Sequence, residues 1–213
     1  MKIKKGDVVE LEYTGSIKDS NIIFDTTDEN IAKTNNLHQD NINYKPVTVC
    51  IGHKELVPGL DDFLVDKETN KEYEVELKPK EAFGEENPKL YRLVGSDKFL
   101  KQNIRPYPGL QLNMDNAFCM VKAVSGGRVM IDFNHPLAGK TVIYKVKINR
   151  ILETADEKIK AYMEKLVGKD IKFDFADKKL TINAKLDEQI QDAVSKELKS
   201  VMAEINEIEF KSL

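Results

Sequence analysis

Apolar and charged residues alternate along the start of the chain. In Val8-Val9-Glu10-Leu11-Glu12-Tyr13, residues Val9, Leu11 and Tyr13 share one side, the period of a half-buried strand. Thr14-Gly15 is expected to end it. Residues 27–45 are polar and rich in Asn with no clear period, so a surface loop is expected there. Val47-Thr48-Val49-Cys50-Ile51 reads as the next strand, closed by Gly52, and Leu56 to Leu64 as a short helix near the core. Tyr73, Val75 and Leu77 alternate with Glu72, Glu74 and Glu76, which predicts a strand broken by Lys78-Pro79. Val142, Tyr144, Val146 and Ile148 share a face of a further strand. Several strands and one short helix make an α+β unit, an antiparallel sheet wrapped on a helix.

Residues 85–133 interrupt that unit. They hold a helix candidate, Asp97 to Gln102, and a hairpin signal in which Ser125-Gly126-Gly127 separates Ala117–Val124 from Arg128–Phe133. A unit of about fifty residues is marginal by itself and is expected to move relative to its host. Near the end of the chain Thr154 and Glu157 match a capping box. Ile159, Tyr162, Met163, Leu166 and Val167 then fall on one helical face, with Gly168 as the stop. Ile171, Phe173 and Phe175 alternate, Ala176 to Lys179 turns, and Leu180-Thr181-Ile182 returns. Ile190, Ala193, Val194, Leu198, Val201, Met202 and Ile205 form a second stripe before a last strand at Ile208 and Phe210. The expected organisation is therefore 1–84 with 134–152 as one discontinuous domain, 85–133 as a small β-rich insert, and 153–213 as an α-β-β-α-β block.

Charge changes this picture little. Of the 213 residues 32 % are charged, the net charge is −3, and 41 % are hydrophobic. That balance suits packed cores and argues against nucleic acid as a partner. No apolar run approaches the roughly 18 residues of a membrane span, and Met1 to Asp7 lacks the apolar stretch of a signal peptide. Cys50 and Cys119 lie in strand-like runs and read as reduced, buried thiols. Together these features point to the cytoplasm. The three histidines, His38, His53 and His135, are far apart, and none has a partner three or four residues away for a metal pair. No phosphate-cradling glycine loop, G-x-S-x-G or C-x-x-C occurs. No cofactor and no metal are expected; the absence of these motifs argues against conventional group transfer and leaves open a reaction that needs no nucleophile.

Five fragments in order carry a resemblance. They are Glu12-Tyr13-Thr14-Gly15; Phe24-Asp25-Thr26-Thr27; Ile51-Gly52-His53-Lys54-Glu55-Leu56-Val57-Pro58-Gly59-Leu60-Asp61; Glu81-Ala82-Phe83-Gly84-Glu85; and Asn134-His135-Pro136-Leu137-Ala138-Gly139-Lys140-Thr141. Over about residues 5–152 the chain resembles FKBP-type peptidyl-prolyl cis/trans isomerases. The gap between Gly84 and His135 is similar to the SlyD-like insert-in-flap arrangement, and the C-terminal extension to that of long archaeal-type members. The resemblance implies an FKBP-like fold, rotamase activity, and an insert that binds unfolded or partly folded polypeptides with X-Pro bonds. It implies a pocket of Tyr13, Phe24, Val47, Leu56, Val57, Leu60, Phe83, Leu137 and Tyr144. Asp25 would lie near the rotating carbonyl, oriented by Tyr13, and the Val57 amide would bind a substrate carbonyl.

The chain departs from the family pattern at the pocket floor, where Leu60 replaces a Trp, and before the flap, where Phe83 replaces a Tyr. Val65-Asp66-Lys67 replaces the usual Gly-Met, and the His-rich tail of SlyD is missing. These departures predict weak macrolide binding and no nickel handling. They also leave a second reading, a holdase chaperone with a weak or vestigial pocket. The stripes of residues 153–213 could form intramolecular core or a homodimer interface.

Overall fold

The computed structural model describes residues 1–168 and 171–211. Its contacts divide the chain into two units, residues 1–77 with 142–213, and residues 78–141. In chain order the first unit begins with β1 (Val8–Ile17), β2 (Ile23–Thr26), α1 (Glu29–Thr34), β3 (Val47–Cys50), α2 (Pro58–Leu64) and β4 (Lys71–Leu77). The second unit carries β5 (Tyr91–Gly95), α3 (Ser96–Leu100), β6 (Gln111–Met114), β7 (Ala117–Ser125) and β8 (Arg128–Asp132). The chain returns to the first unit through β9 (Val142–Ile151), α4 (Ala155–Val167), β10 (Phe173–Ala176), β11 (Lys179–Asn183), α5 (Glu188–Val201) and β12 (Glu207–Lys211). The fold is α+β.

The first sheet runs β2-β1-β9-β4, with β3 also paired to β1, and every pairing in it is antiparallel. β1 does not stop at Thr14-Gly15 as its glycine suggested. Gly15 lies opposite Asp25 on one side and Tyr144 on the other, so two ladders hold the backbone extended where local preference would release it. Register slips between Gly15 and Ser16 on the β2 side, the local kink of a bulge. β9 likewise continues past Ile148 to Ile151, because Val9 and Glu10 of β1 still pair with it there.

Two further expectations are corrected. The span 27–45 is not loop throughout. Asp28 accepts the Ile31 amide at 2.9 Å and caps α1, whose Ala32 is buried. Six residues are too few to show a helical period, so only the cap and the Glu29–Lys33 pair mark this helix in the sequence. The helix expected from Leu56 begins at Pro58. A residue before proline is pushed out of the helical region, and Val57 is extended at ψ 142°. Leu56 and Val57 are thus freed as a lip ahead of α2. Leu60 and Leu64 of α2 are buried, the helix packs on β4, and Phe63 meets Tyr73 edge-on at 6.3 Å.

The C-terminal elements have the expected α-β-β-α-β order. The Thr154 and Glu157 capping box is formed at one end of α4, and Gly168 ends it in the left-handed region at φ 70°. β10 and β11 pair antiparallel, and β11 and β12 parallel through the α5 crossover. Ile159, Tyr162, Met163, Leu180, Ile182, Val194 and Leu198 share one buried cluster with Val8, Cys50 and Leu152. Val8 and Cys50 pair directly across β1 and β3. The face of the first sheet opposite Val9 and Leu11 is therefore also covered at that end.

The second unit is a four-stranded antiparallel sheet, β5-β8-β7-β6. The hairpin at Ser125-Gly126-Gly127 forms where expected, with Gly126 and Gly127 both at positive φ. Phe99, Cys119, Val121, Val129 and Ile131 make its core. At its base the buried Asn134 side chain accepts the Asn87 amide at 2.8 Å, and its Nδ2 donates to Asp132 at 2.8 Å.

Candidate active site

β1 and β2 build the centre of the site by register. Thr14 pairs with Thr26 and Gly15 with Asp25, and the two threonine hydroxyls are 2.8 Å apart. The Tyr13 amide donates to Thr27 Oγ1 at 2.9 Å, and the Thr27 amide returns a bond to the Tyr13 carbonyl at 3.0 Å. The threonines thus clip β2 to β1. The Asp25 carboxylate, which could have capped that turn, instead accepts the Tyr13 hydroxyl at 2.7 Å. Burial, and then this hydrogen bond to a carboxylate, pushes the Tyr13 phenol well above the usual tyrosine range. Tyr13 therefore stays a protonated donor at any ordinary pH.

Aromatic packing flanks the pair on the Tyr13 side, while Asp25 is exposed. The Tyr144 ring lies 5.9 Å from Tyr13, tilted by 59°, and meets Phe24 edge-on at 5.8 Å and 85°, both favourable aromatic geometries. Tyr144 is buried, and burial raises its phenol as well. This closeness depends on Gly15. A Cβ there would stand 2.6 Å from Phe24 Cζ and 3.1 Å from Tyr144 Cε1. Gly15 was visible in the sequence as a glycine inside a strand pattern, a signal of close approach.

The segment between β3 and α2 supplies the remaining wall in this unit. Val47, Leu56 and Tyr13 line one groove of about 930 Å³. Val57 is half-buried and caps α2, taking the Leu60 amide on its carbonyl at 3.0 Å. Among the described residues the Val57 amide itself has no acceptor. Leu60 is buried in the first turn. Behind it the buried Asp61 accepts the Gly52 amide on both oxygens, at 2.9 and 3.0 Å, which ties the two ends of the segment. Asp61 was not singled out in the sequence, although an acidic residue in a first helical turn is a fair sign of such a tie.

Phe83 and Leu137 belong to the other unit. There Phe83 stacks on His135, 4.9 Å between ring centres and 4° from parallel, and the Leu137 amide donates to His135 Nδ1 at 3.1 Å. Among the described residues no three His, Cys, Asp or Glu side chains are grouped to hold a metal ion, and no helix is long and apolar enough to cross a membrane.

The sequence is similar to those of known proteins. The family model of FKBP-type peptidyl-prolyl cis-trans isomerases matches residues 1–100, and the one described as FKBP26, IF domain, matches residues 92–137. The chain is 30 % identical over 167 residues to the FKBP-type peptidyl-prolyl cis-trans isomerase SlyD of Treponema pallidum, covering 76 % of this chain and 86 % of that protein. It is 27 % identical over 155 residues to a short-type peptidyl-prolyl cis-trans isomerase of Methanocaldococcus jannaschii, covering 73 % and 98 %. A probable FKBP-type 16 kDa isomerase of Pseudomonas fluorescens is 33 % identical over 108 residues, covering 48 % and 71 %.

Proposed function

Because the chain belongs to the FKBP-type peptidyl-prolyl cis-trans isomerases, we propose that X-Pro bonds turn beside Asp25 and that the inserted domain captures unfolded polypeptide for that site. The bond before proline rotates over a barrier of roughly 20 kcal/mol, because amide resonance has to be broken. Only groups that favour the twisted amide over the planar one lower that barrier. The planar amide is the more dipolar, so a site walled by Tyr13, Phe24, Leu60 and Tyr144 favours the twisted form by excluding water. The Val57 amide holds a substrate carbonyl, and Asp25, fixed by Tyr13, faces the rotating group. No covalent or proton-transfer step is needed.

The observation that carries this reading is the Tyr13–Asp25 hydrogen bond at the edge of the aromatic cluster. The test is a cis/trans assay on a proline-containing tetrapeptide. The wild-type chain should exceed the uncatalysed rate, and Asp25→Ala, still folded, should lose about tenfold, the worth of one polar contact of roughly 1–2 kcal/mol. A wild-type rate equal to the uncatalysed one would favour the holdase reading.

The capture role rests on the sheet of the second unit. Val129 and Ile131 of β8 are buried while Met130 between them is 36 % exposed. Leu93, opposite Met130 across β5 and β8, is 62 % exposed, and Phe118 on β7 is 47 % exposed. An open face of adaptable apolar side chains suits loose binding of many unfolded chains. We take residues 85–133 as this chaperone domain, 1–84 with 134–152 as the isomerase domain and 153–213 as a further domain. Deleting residues 86–132 and closing the gap should spare turnover of the tetrapeptide and slow proline-limited refolding of a protein substrate. Equal losses on both substrates would end the division of labour.

A further inference from the structure

The residue before the Leu56-Val57 lip is held from outside the isomerase elements. Glu55 offers both carboxylate oxygens to α4. The Tyr162 hydroxyl donates to Oε1 at 2.5 Å, and Lys165 pairs with Oε2. The Glu55 side chain is only 10 % exposed, and Tyr162 is buried completely. Lys165 also reaches the Thr48 carbonyl of β3 at 3.5 Å and lies over the Tyr162 ring, 5.2 Å from its centre. α4 is itself anchored by Ile159 and Met163 in the cluster shared with Val8 and Cys50. Ala161 and Lys165 of α4 line the same groove as Val47, Leu56 and Tyr13.

A loop of short span, pinned at one end by Asp61 and at the other by a buried carboxylate with two donors, has little freedom to re-aim its lip. Charge-assisted bonds to a nearly buried carboxylate are among the stronger polar contacts. An ordered lip binds substrate without the cost of ordering it at each encounter. We propose that Tyr162 and Lys165 are positioning residues for the isomerase, acting through Glu55 to hold Leu56 and the Val57 amide in their substrate-binding pose. This rests on the reading of that lip as the substrate rim. The lip grips the planar and twisted amides alike, so its loosening belongs in KM rather than kcat.

The experiment measures kcat and KM for a proline-containing tetrapeptide in the full chain. Tyr162→Phe, which keeps the ring and removes the hydroxyl, should raise KM about fivefold with kcat nearly unchanged. Glu55→Gln should do the same, and the double variant should be no worse than either single, as for two ends of one contact. Lys165→Gln, a substitution at a partly exposed side chain, should raise KM in the same direction. Hydrogen exchange at the Leu60 amide, which donates to the Val57 carbonyl, should quicken in each. Val194→Ala loosens the core of the same block away from Glu55 and should leave KM where it was, below its unfolding temperature. The proposal is overturned if KM stays constant in Tyr162→Phe and Lys165→Gln, if the Tyr162 and Glu55 effects simply add, or if Val194→Ala raises KM equally. Absence of wild-type turnover would instead remove the reading of the rim itself.

Discussion

Gly15 is the residue on which the aromatic cluster closes. Its neighbours across both ladders are Asp25 and Tyr144, and the rings of Phe24 and Tyr144 occupy the space a side chain would need. Gly15→Ala should push Phe24 and β2 outward. It should cost about 1–3 kcal/mol of stability, the range for overpacking, and lower kcat/KM on a tetrapeptide. Urea unfolding and the peptide assay check the two effects separately. At this scale the sequence was legible where residues of separate motifs meet in space, as Tyr13 and Asp25 do. It was misleading where the residue's job is to be absent: a glycine that ends a strand and one that admits a neighbour's ring look the same until the neighbour is known.

Among the elements, the long ones with a period were read, and several of the short ones were missed. β1, β4, β9, α4 and α5 alternate or repeat over enough residues to declare themselves. β5 and β6, of five and four residues, and α1, of six, went unread, although β3 and β10, of four residues each, were read from an apolar run and an alternation. α1 is held by its ends instead. Asp28→Ala removes the acceptor for the Ile31 amide and should cost about 1 kcal/mol, seen as a fall in melting temperature of about 2–4 °C for a chain of this size. An unchanged melting temperature would mean that packing of Ala32 alone holds the turn. The start of α2 shows the same limit from the other side. The apolar run begins at Leu56, yet the helix waits for Pro58, which leaves Leu56 and Val57 outside it.

For the whole chain the cost of burying polar groups sets how stability depends on pH. Tyr13, Tyr144 and Tyr162 all have phenols held above the ordinary value of 10.0, chiefly by burial. Below that value they are neutral whether the chain is folded or unfolded, and the folded state keeps its full advantage. Above it the unfolded chain loses protons first, so stability should fall steadily as pH rises beyond about 10. Urea midpoints measured across the alkaline range should decline, with tyrosinate absorbance of these three residues appearing only as the chain unfolds. Cys50 belongs to the same picture. Burial, with Glu55 and Asp61 nearby, pushes its thiol up to about 12, so it stays protonated and inert in the folded chain.

Alternation, capping residues and ordered motifs were enough, by themselves, to set the α+β class, the α-β-β-α-β order of the last sixty or so residues, and the family signature around Tyr13, Asp25 and Leu56, because each is written in neighbouring positions. The tertiary structure alone decided that β1 runs through Gly15 with partners on both edges, that Val8 and Cys50 are covered by the C-terminal block, and that Tyr162 reaches Glu55 across 107 positions of sequence. Those outcomes depend on which distant surfaces meet, and no local pattern of residues encodes a meeting between segments that far apart.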